Sequence, residues 1–158
     1  MNYISYNHEI KKGSYLQVNN ILKLLENKNE WLYHHADEIV QRKMVRLLWS
    51  NVYLISAQTE VKSIGHLYAL ADYIRRECNR VVILTLESEF THLVVATSNN
   101  VCYLNINETL SPLIKQYNGY IQLNRDESFI HVTFYKQEIV SEVIDRTIES
   151  IIVDLPYL

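Results

Sequence analysis

The stretch SIGHLYALADYIRREC at residues 63–78, followed by RVVILTLES at 80–88 and THLVVATS at 91–98, decides the fold of this chain. In the first segment, apolar residues recur at helical spacing behind Ser63, a residue type that favours the N-cap position. The other two segments are apolar and rich in valine, which predicts a buried strand over 81–86 and a strand over 92–97 that returns antiparallel to it. A helix followed by a strand hairpin of this kind is typical of α/β domains.

Further strands are predicted on both sides of this centre. Residues 52–57 are a short apolar run before the helix, and residues 129–134 alternate in the manner of a strand. Residues 101–104 predict one more short strand after the turn at Asn99 and Asn100. Residues 120–128 show no periodicity and are predicted to be irregular.

Two helices complete this part of the chain. Asn107 is the predicted N-cap of a helix over 108–117, with Pro112 within about its first turn and with Asn118 and Gly119 as a left-handed stop. Apolar residues over 139–152 predict a long closing helix. We therefore predict an α/β fold in which helices pack against a mixed sheet, in the order βαββ(β)αβα.

The first fifty residues differ in pattern from the rest. After an arm of about a dozen residues, apolar side chains at helical spacing predict a helix over 15–26 and a second helix over 31–49. Together these two helices form a helical hairpin. We therefore divide the chain into an N-terminal arm and helical hairpin over 1–50 and an α/β domain over 51–158.

The composition is that of a globular protein. The chain has 158 residues, of which 48% are hydrophobic and 21% charged, and only three are glycine and two proline. No apolar run approaches the roughly 20 residues that cross a bilayer, and the N-terminus lacks a signal-peptide pattern, so we expect a cytoplasmic protein without a membrane partner. The net charge of -3 argues against binding nucleic acid by bulk electrostatics, although a local basic face is compatible with it.

Three stretches carry a resemblance to a known family. They are NVYLISAQTEV at 51–61, the helix and strand hairpin over 63–98, and ETLSPLIKQYNG at 108–119. Together they resemble the C-terminal domain of alanyl-tRNA synthetase, also called the DHH-associated domain, over roughly residues 51–153. The resemblance implies a noncatalytic module that contacts the outer corner of tRNA and that can support a homodimer.

The glycine-rich loop of that family is degenerate in this chain. The corresponding interval, 118–134, reads NGYIQLNRDESFIHVTF. Gly119 and Arg125 match the family pattern, whereas bulky Tyr120, Ile121 and Phe129 stand where small residues are expected. Because small residues let a backbone approach a ligand closely, this interval argues against a backbone cradle for phosphate.

No catalytic or metal-binding motif accompanies the resemblance. The chain lacks HxxxH, CxxxH and Asp-His-His sequences, and its serines lack a GxSxG context. His34 and His35 are adjacent, so on a helix they project in different directions. We therefore predict no enzyme, no metal and no cofactor. One alternative stays open, a small hydrolase built on His66, His92 and His131 if these converge in space.

Basic residues are the better functional candidates. Arg42 and Arg46 are four residues apart on the second predicted helix and project together, although Arg42 also follows Glu38 in the order that favours an ion pair. Arg75 and Arg76 end the helix over 63–78, where positive charge complements the helix dipole. The predicted RNA-binding residues are Arg42, Lys43, Arg46, Arg75, Arg76 and Arg125.

The sequence thus supports two functions from different classes. The first is a noncatalytic, tRNA-associated RNA-binding module, in which several of these cations hold backbone phosphates. The alternative is an oligomerisation or protein-interaction scaffold that has lost RNA binding along with its glycines.

Overall fold

The computed structural model describes residues 30–135 and 140–157. The strands are β1 (Met44–Leu47), β2 (Val52–Thr59), β3 (Arg80–Glu87), β4 (Thr91–Thr97), β5 (Tyr120–Asp126) and β6 (Phe129–Phe134). The helices are α1 (30–43), α2 (Ile64–Ile74), α3 (Ile106–Gln116) and α4 (Val140–Asp154). The strands form one six-stranded sheet in the order β1-β2-β3-β4-β6-β5. β2 and β3 are parallel, and every other neighbouring pair is antiparallel.

Helices cover both faces of the sheet. On one face, α1 and α2 pack on β2, β3, β4 and β6 through Ala36, Leu67, Leu70 and Ile74. On the other face, α3 and α4 pack through Leu110, Leu113, Val143 and Ile151. The sheet is therefore the middle layer of three, and its central strands are buried on both sides. None of the helices in the described ranges is both long and apolar enough to span a bilayer.

The centre of the prediction is confirmed. β2, β3 and β4 lie side by side in one sheet, so the strands predicted over 52–57, 81–86 and 92–97 are neighbours. Ser63 is the N-cap of α2, and its side-chain oxygen accepts a hydrogen bond from the backbone N–H of His66 at 3.2 Å. The α/β class, the mixed sheet, the strand at Phe129–Phe134 and the closing helix are also as predicted.

The second helix ends earlier than predicted. Helix α1 stops at residue 43. Of the residues predicted to extend it to 49, 44–47 instead form β1, an edge strand paired with β2, and 48 and 49 belong to the turn that follows. The tight connection between the two strands contains Asn51, whose φ of 52° is a left-handed conformation that asparagine tolerates. Hydrogen bonding to β2 therefore overrides the helical periodicity here. The predicted boundary at residue 50 stays a prediction, and the predicted arm and first helix lie outside the described residues.

Three errors concern the segment between β4 and β6. Residues 101–104 form a turn rather than a strand, and the N-cap of α3 is Asn105 rather than Asn107. Pro112 is consequently the seventh residue of α3 and not part of its first turn. Residues predicted to be irregular form β5, so the order after residue 50 is βαββαββα.

Strand β5 is not recognisable in the sequence because it lies at the edge of the sheet. Six of its seven side chains are exposed, and its register on β6 shifts twice, between Ile121 and Leu123 and between Asn124 and Asp126. Each shift breaks the two-residue alternation by which strands are recognised in a sequence.

Gly119 is required by packing rather than by backbone conformation. Asn118, not Gly119, has the left-handed φ of 51° that ends α3. A Cβ atom at Gly119 would lie 2.7 Å from Cε1 of Phe134 and 3.0 Å from Cγ1 of Val132. Because both neighbours are fully buried, the segment around Gly119 is filled core and not an open cradle.

We expect Gly119→Ala to lower the free energy of unfolding by about 1–3 kcal/mol, since the Phe134 ring has to shift within a packed core. Chemical denaturation measures this loss. The matched control is Asn118→Gly, which keeps the left-handed turn and should change stability by less than about 1 kcal/mol. Equal stability of Gly119→Ala and the wild type would contradict the packing role assigned to Gly119.

Candidate nucleic-acid interface

Three of the predicted arginines converge on one carboxylate. Asp72, on α2, lies 2.9 Å from an Arg75 guanidinium nitrogen, 3.9 Å from one of Arg76 and 3.8 Å from one of Arg125. Arg75 and Arg76 follow α2 directly, whereas Arg125 comes from β5. The fold therefore joins residues that are far apart in the sequence into one basic cluster, which we call the Asp72 cluster.

Arg75 ties this cluster to the turn between β5 and β6. Its Nε donates to Asp72 at 2.9 Å, and its Nη1 donates to the Ser128 hydroxyl at 3.0 Å. Ser128 in turn donates to Asp126 through its backbone N–H at 2.7 Å and through its hydroxyl at 2.5 Å. These two hydrogen bonds from Ser128, helped by the nearby Arg75 and Arg125 charges, lower the pKa of Asp126.

The three guanidiniums differ in their access to solvent. The Arg75 side chain is only 14% exposed, whereas Arg125 is 41% and Arg76 66% exposed. Arg75 and Arg125 also lie 5.2 Å and 4.4 Å from the centre of the buried Phe129 ring. Arg75 is therefore part of the structure that holds the cluster, and Arg76 and Arg125 are the cations that an anionic ligand can reach.

A cavity of about 320 Å³ opens beside Arg75 and Arg76. Asn99 and Asn100 also line it, and Asn100 is fixed by hydrogen bonds to the backbone N–H and the side chain of Asn79. Guanidinium and amide donors lining one cavity match the acceptors of a phosphate or a base edge.

The remaining predicted cations lie elsewhere. Arg42 pairs with Glu38 at 3.2 Å, which is the ion pair that the spacing also allowed. Arg46 lies on β1, not on the helix, so the predicted projection of Arg42 and Arg46 from one helix is wrong; its guanidinium lies 5.9 Å from the Tyr53 ring. β1 and β5 are opposite edges of the sheet, about 24 Å apart. Arg42, Lys43 and Arg46 therefore form a second basic set, distant from Arg125.

A hydrogen-bonded chain of side chains that the sequence did not predict lies next to the Asp72 cluster. The Tyr68 hydroxyl is 2.5 Å from His131 Nδ1, His131 Nε2 is 3.0 Å from His92 Nδ1, and His92 Nε2 is 3.3 Å from Ser88 Oγ. His131 and His92 project from the same sheet face on β6 and β4. Two of the three histidines considered for a hydrolase thus converge, while His66 packs against Trp31.

The Ser88–His92 end of this hydrogen-bonded chain resembles a nucleophile and its general base. The groups around it, however, do not suit catalysis. The Ser88 backbone N–H, which an oxyanion would need, donates to the Phe90 carbonyl at 2.9 Å. The Ser88 hydroxyl also contacts that carbonyl, at 3.4 Å, and Glu87 and Glu89 flank it with negative charge. Within the described ranges, no three His, Cys, Asp or Glu side chains are grouped as metal ligands.

The surroundings of the histidine pair lower the pKa of both imidazoles. His131 is 2% exposed, and burial together with the nearby His92 lowers its pKa from 6.5 to about 4. Burial also lowers the pKa of His92 and raises that of the Tyr68 hydroxyl, an increase that the Arg125 charge opposes.

Comparison with solved structures identifies the fold. The C-Ala domain of Aquifex aeolicus alanyl-tRNA synthetase superposes with a TM-score of 0.58 at 16% identity, over 69% of this chain and 97% of that domain. A pGpG-specific phosphodiesterase from Vibrio cholerae (TM-score 0.51, 16% identity) and the DHH domain of a member of a ribosomal protein family (0.55, 12%) each match 87% of this chain. The chain covers only 43% and 33% of those two.

No family model and no curated protein matches the sequence. The likeness therefore concerns the fold, and it extends to almost the whole of the C-Ala domain. The segment that would be the glycine-rich loop is instead the edge strand β5 and the turn that follows it. The chain has the fold of the C-terminal, DHH-associated domain of alanyl-tRNA synthetase.

Proposed function

We propose that this chain is a noncatalytic RNA-binding module for tRNA or a tRNA-like RNA, which contacts backbone phosphates through the Asp72 cluster. The observation that carries the proposal is the convergence of Arg75, Arg76 and Arg125 on Asp72. The likeness of the fold to a tRNA synthetase domain supports it. We also propose a cytoplasmic location, where such an RNA is available.

The charges of the cluster favour an anionic ligand. Three guanidiniums share Asp72, and the second carboxylate nearby, Asp126, is occupied by Ser128. Arg76 and Arg125 lie 3.8–3.9 Å from Asp72, at the limit of an ion pair, so a phosphate oxygen can approach either without displacing a short bond. The Asp72 carboxylate then positions the cations and leaves part of their charge uncompensated.

We expect Arg76→Gln combined with Arg125→Gln to weaken tRNA binding at least about ten-fold at low salt. Each lost phosphate contact should also reduce the slope of log affinity against log salt by about 0.7–0.9. Fluorescence anisotropy over a salt series measures both quantities. The matched control, Arg146→Gln, removes an exposed cation on α4 at the other face of the sheet and should leave the slope unchanged.

The second basic set, Arg42, Lys43 and Arg46, provides an independent test of where RNA binds. If RNA also uses the β1 edge, changing Arg42, Lys43 and Arg46 together to Glu should abolish tRNA retention in a gel shift while leaving the fold intact. If the Asp72 cluster is the site, this triple variant should still retain tRNA in the gel shift at low salt, because it removes no phosphate contact. An unchanged salt slope in the Arg76/Arg125 variant would contradict the proposed interface.

A scaffold function is the second candidate, and the edge strand β1 favours it. Met44 and Val45 are 39% and 56% exposed, and the neighbouring Leu48 is 74% exposed. Among the described residues, β1 pairs with β2 only. An exposed apolar edge strand can add a strand from a second copy of the chain.

A scaffold of this kind should form a tight dimer that does not bind tRNA, as measured by size exclusion with light scattering. Val45→Lys, which places a charge on the β1 edge, should then shift the dimer to monomer. Exposed Val153, on α4, offers the matched control Val153→Lys, which should not. A monomer at micromolar concentration would exclude dimerisation through β1.

A further inference from the structure

We propose that the Asp72 cluster binds single-stranded RNA, an unpaired loop or end in which one base stacks on Tyr33 while neighbouring phosphates bind Arg76 and Arg125. This inference rests on the proposed RNA-binding function and specifies its ligand as unpaired nucleotides rather than a duplex. The feature that carries it is a pair of tyrosines, Tyr33 and Tyr73, which adjoins the basic cluster at the junction of α1 and α2.

The two tyrosines pack against each other where α1 meets α2. Their ring centres are 4.7 Å apart, and the ring planes are inclined by 38°. Tyr73 is partly buried against the apolar core beneath α2, whereas Tyr33 is 41% exposed. The pair therefore presents one aromatic ring to the solvent, and the second ring supports it.

Arg76 connects this aromatic pair with the basic cluster. Its guanidinium carbon lies 5.8 Å from the centre of the Tyr73 ring, and one of its nitrogens lies 3.9 Å from Asp72. These three residues are neighbours on the helix surface because they are three or four positions apart. Arg125 reaches the same carboxylate from β5, at 3.8 Å. Across the end of α2 the order is therefore Arg125, Arg76, Tyr73 and Tyr33, two accessible cations followed by two tyrosines.

A row of cations that continues into aromatic rings matches a single strand. In unpaired RNA the phosphates can bind the cations while a base face stays free to stack on an aromatic ring, and this stacking tolerates any base. In an RNA duplex the base faces are covered by the neighbouring base pairs. A duplex can therefore use Arg76 and Arg125 but not the Tyr33 ring.

Charge determines which part of the nucleotide lies over Tyr33. Asp37 is exposed on α1, one helical turn after Tyr33, so its carboxylate repels a phosphate from the aromatic end of the row. Arg76 and Arg125 attract phosphate at the other end. The base, which is uncharged, therefore belongs over Tyr33, and the backbone belongs over the arginines.

Binding of two RNA probes to the full chain tests the proposal. The probes are an oligouridine of about 12 nucleotides, which stays unpaired, and a blunt RNA duplex of the same strand length. Tyr33→Leu keeps an apolar contact with Tyr73 but removes the flat ring, so it should weaken oligouridine binding at least about five-fold. Its affinity for the duplex should not change. Its salt slope with oligouridine should also be that of the wild type, because no phosphate contact is lost.

Two matched variants separate stacking from general effects of the substitution. Tyr33→Phe retains the ring and should bind oligouridine as tightly as the wild type. Tyr157→Leu removes a tyrosine that is 86% exposed beyond the end of α4, and it should have no effect. Equal losses of affinity in Tyr33→Leu and Tyr157→Leu would overturn the proposal.

Failure of this inference can be told apart from failure of the proposed function. If Tyr33→Leu binds oligouridine as tightly as the wild type while the combined Arg76→Gln and Arg125→Gln variant loses affinity, the cluster binds RNA without stacking, and only this inference is overturned. If the wild type binds neither oligouridine nor tRNA, both are overturned.

Photocrosslinking of the wild type covers the case in which Tyr33→Leu fails to fold. An oligouridine that carries 5-iodouracil crosslinks on irradiation to an aromatic side chain against which the base stacks. Mass spectrometry of the digested complex should locate the crosslink at Tyr33. Crosslinks found only in peptides that lack Tyr33 would overturn the proposal.

Discussion

Burial of β3 on both faces is the constraint on which the rest of the structure depends. Its residues from Val81 to Thr85 have no exposed surface, and it lies between a parallel partner, β2, and an antiparallel one, β4. A strand with apolar side chains on both faces cannot leave either face in water, since each Val, Leu or Ile contributes about 1.5–3 kcal/mol by its burial. Helices are therefore required on both sides. The parallel β2–β3 pair also requires a crossover, and α2 supplies it while covering one face.

The polar and charged side chains of the candidate sites lie at the edge of the sheet area that α2 covers. Strands β6 and β5 continue the sheet beyond β4. On the α2 side, buried valine and alanine give way there to buried Phe129 and His131 and to the exposed Arg125. α2 meets this region with Tyr68 and Asp72, one helical turn apart on the same side. Tyr68 binds His131 and packs edge-on against Phe129, while Asp72 binds the arginines that lie over that same ring. The Phe129 ring thus connects the histidine chain with the basic cluster.

The sequence predicted the parts of the fold that are governed by local periodicity and burial. β2, β3, β4, α2 and α4 all carry long apolar patterns, and all were placed within a few residues. β1 and β5 were missed because an edge strand is stabilised mainly by hydrogen bonds to its neighbour, which leave no period in its side chains. For the same reason Arg46 was assigned to a helix. The arginines were found as residue types, but their grouping around Asp72 depends on the pairing of β5 with β6, which no local pattern contains.

Local sequence patterns contain no information on long-range strand pairing. For this reason the Tyr68–His131–His92–Ser88 chain could not be predicted from the sequence either. His92 and His131 are 39 residues apart, and their contact requires the register that places His131 opposite Val94 and Thr133 opposite His92. A shift of that register by one residue would turn His131 to the α3 side of the sheet. Because Asp72 and Tyr68 lie on one helix, the basic cluster and the chain also share a mechanical support. Tyr68 and Asp72 therefore hold both groups of side chains in place through the packing of α2 on the sheet.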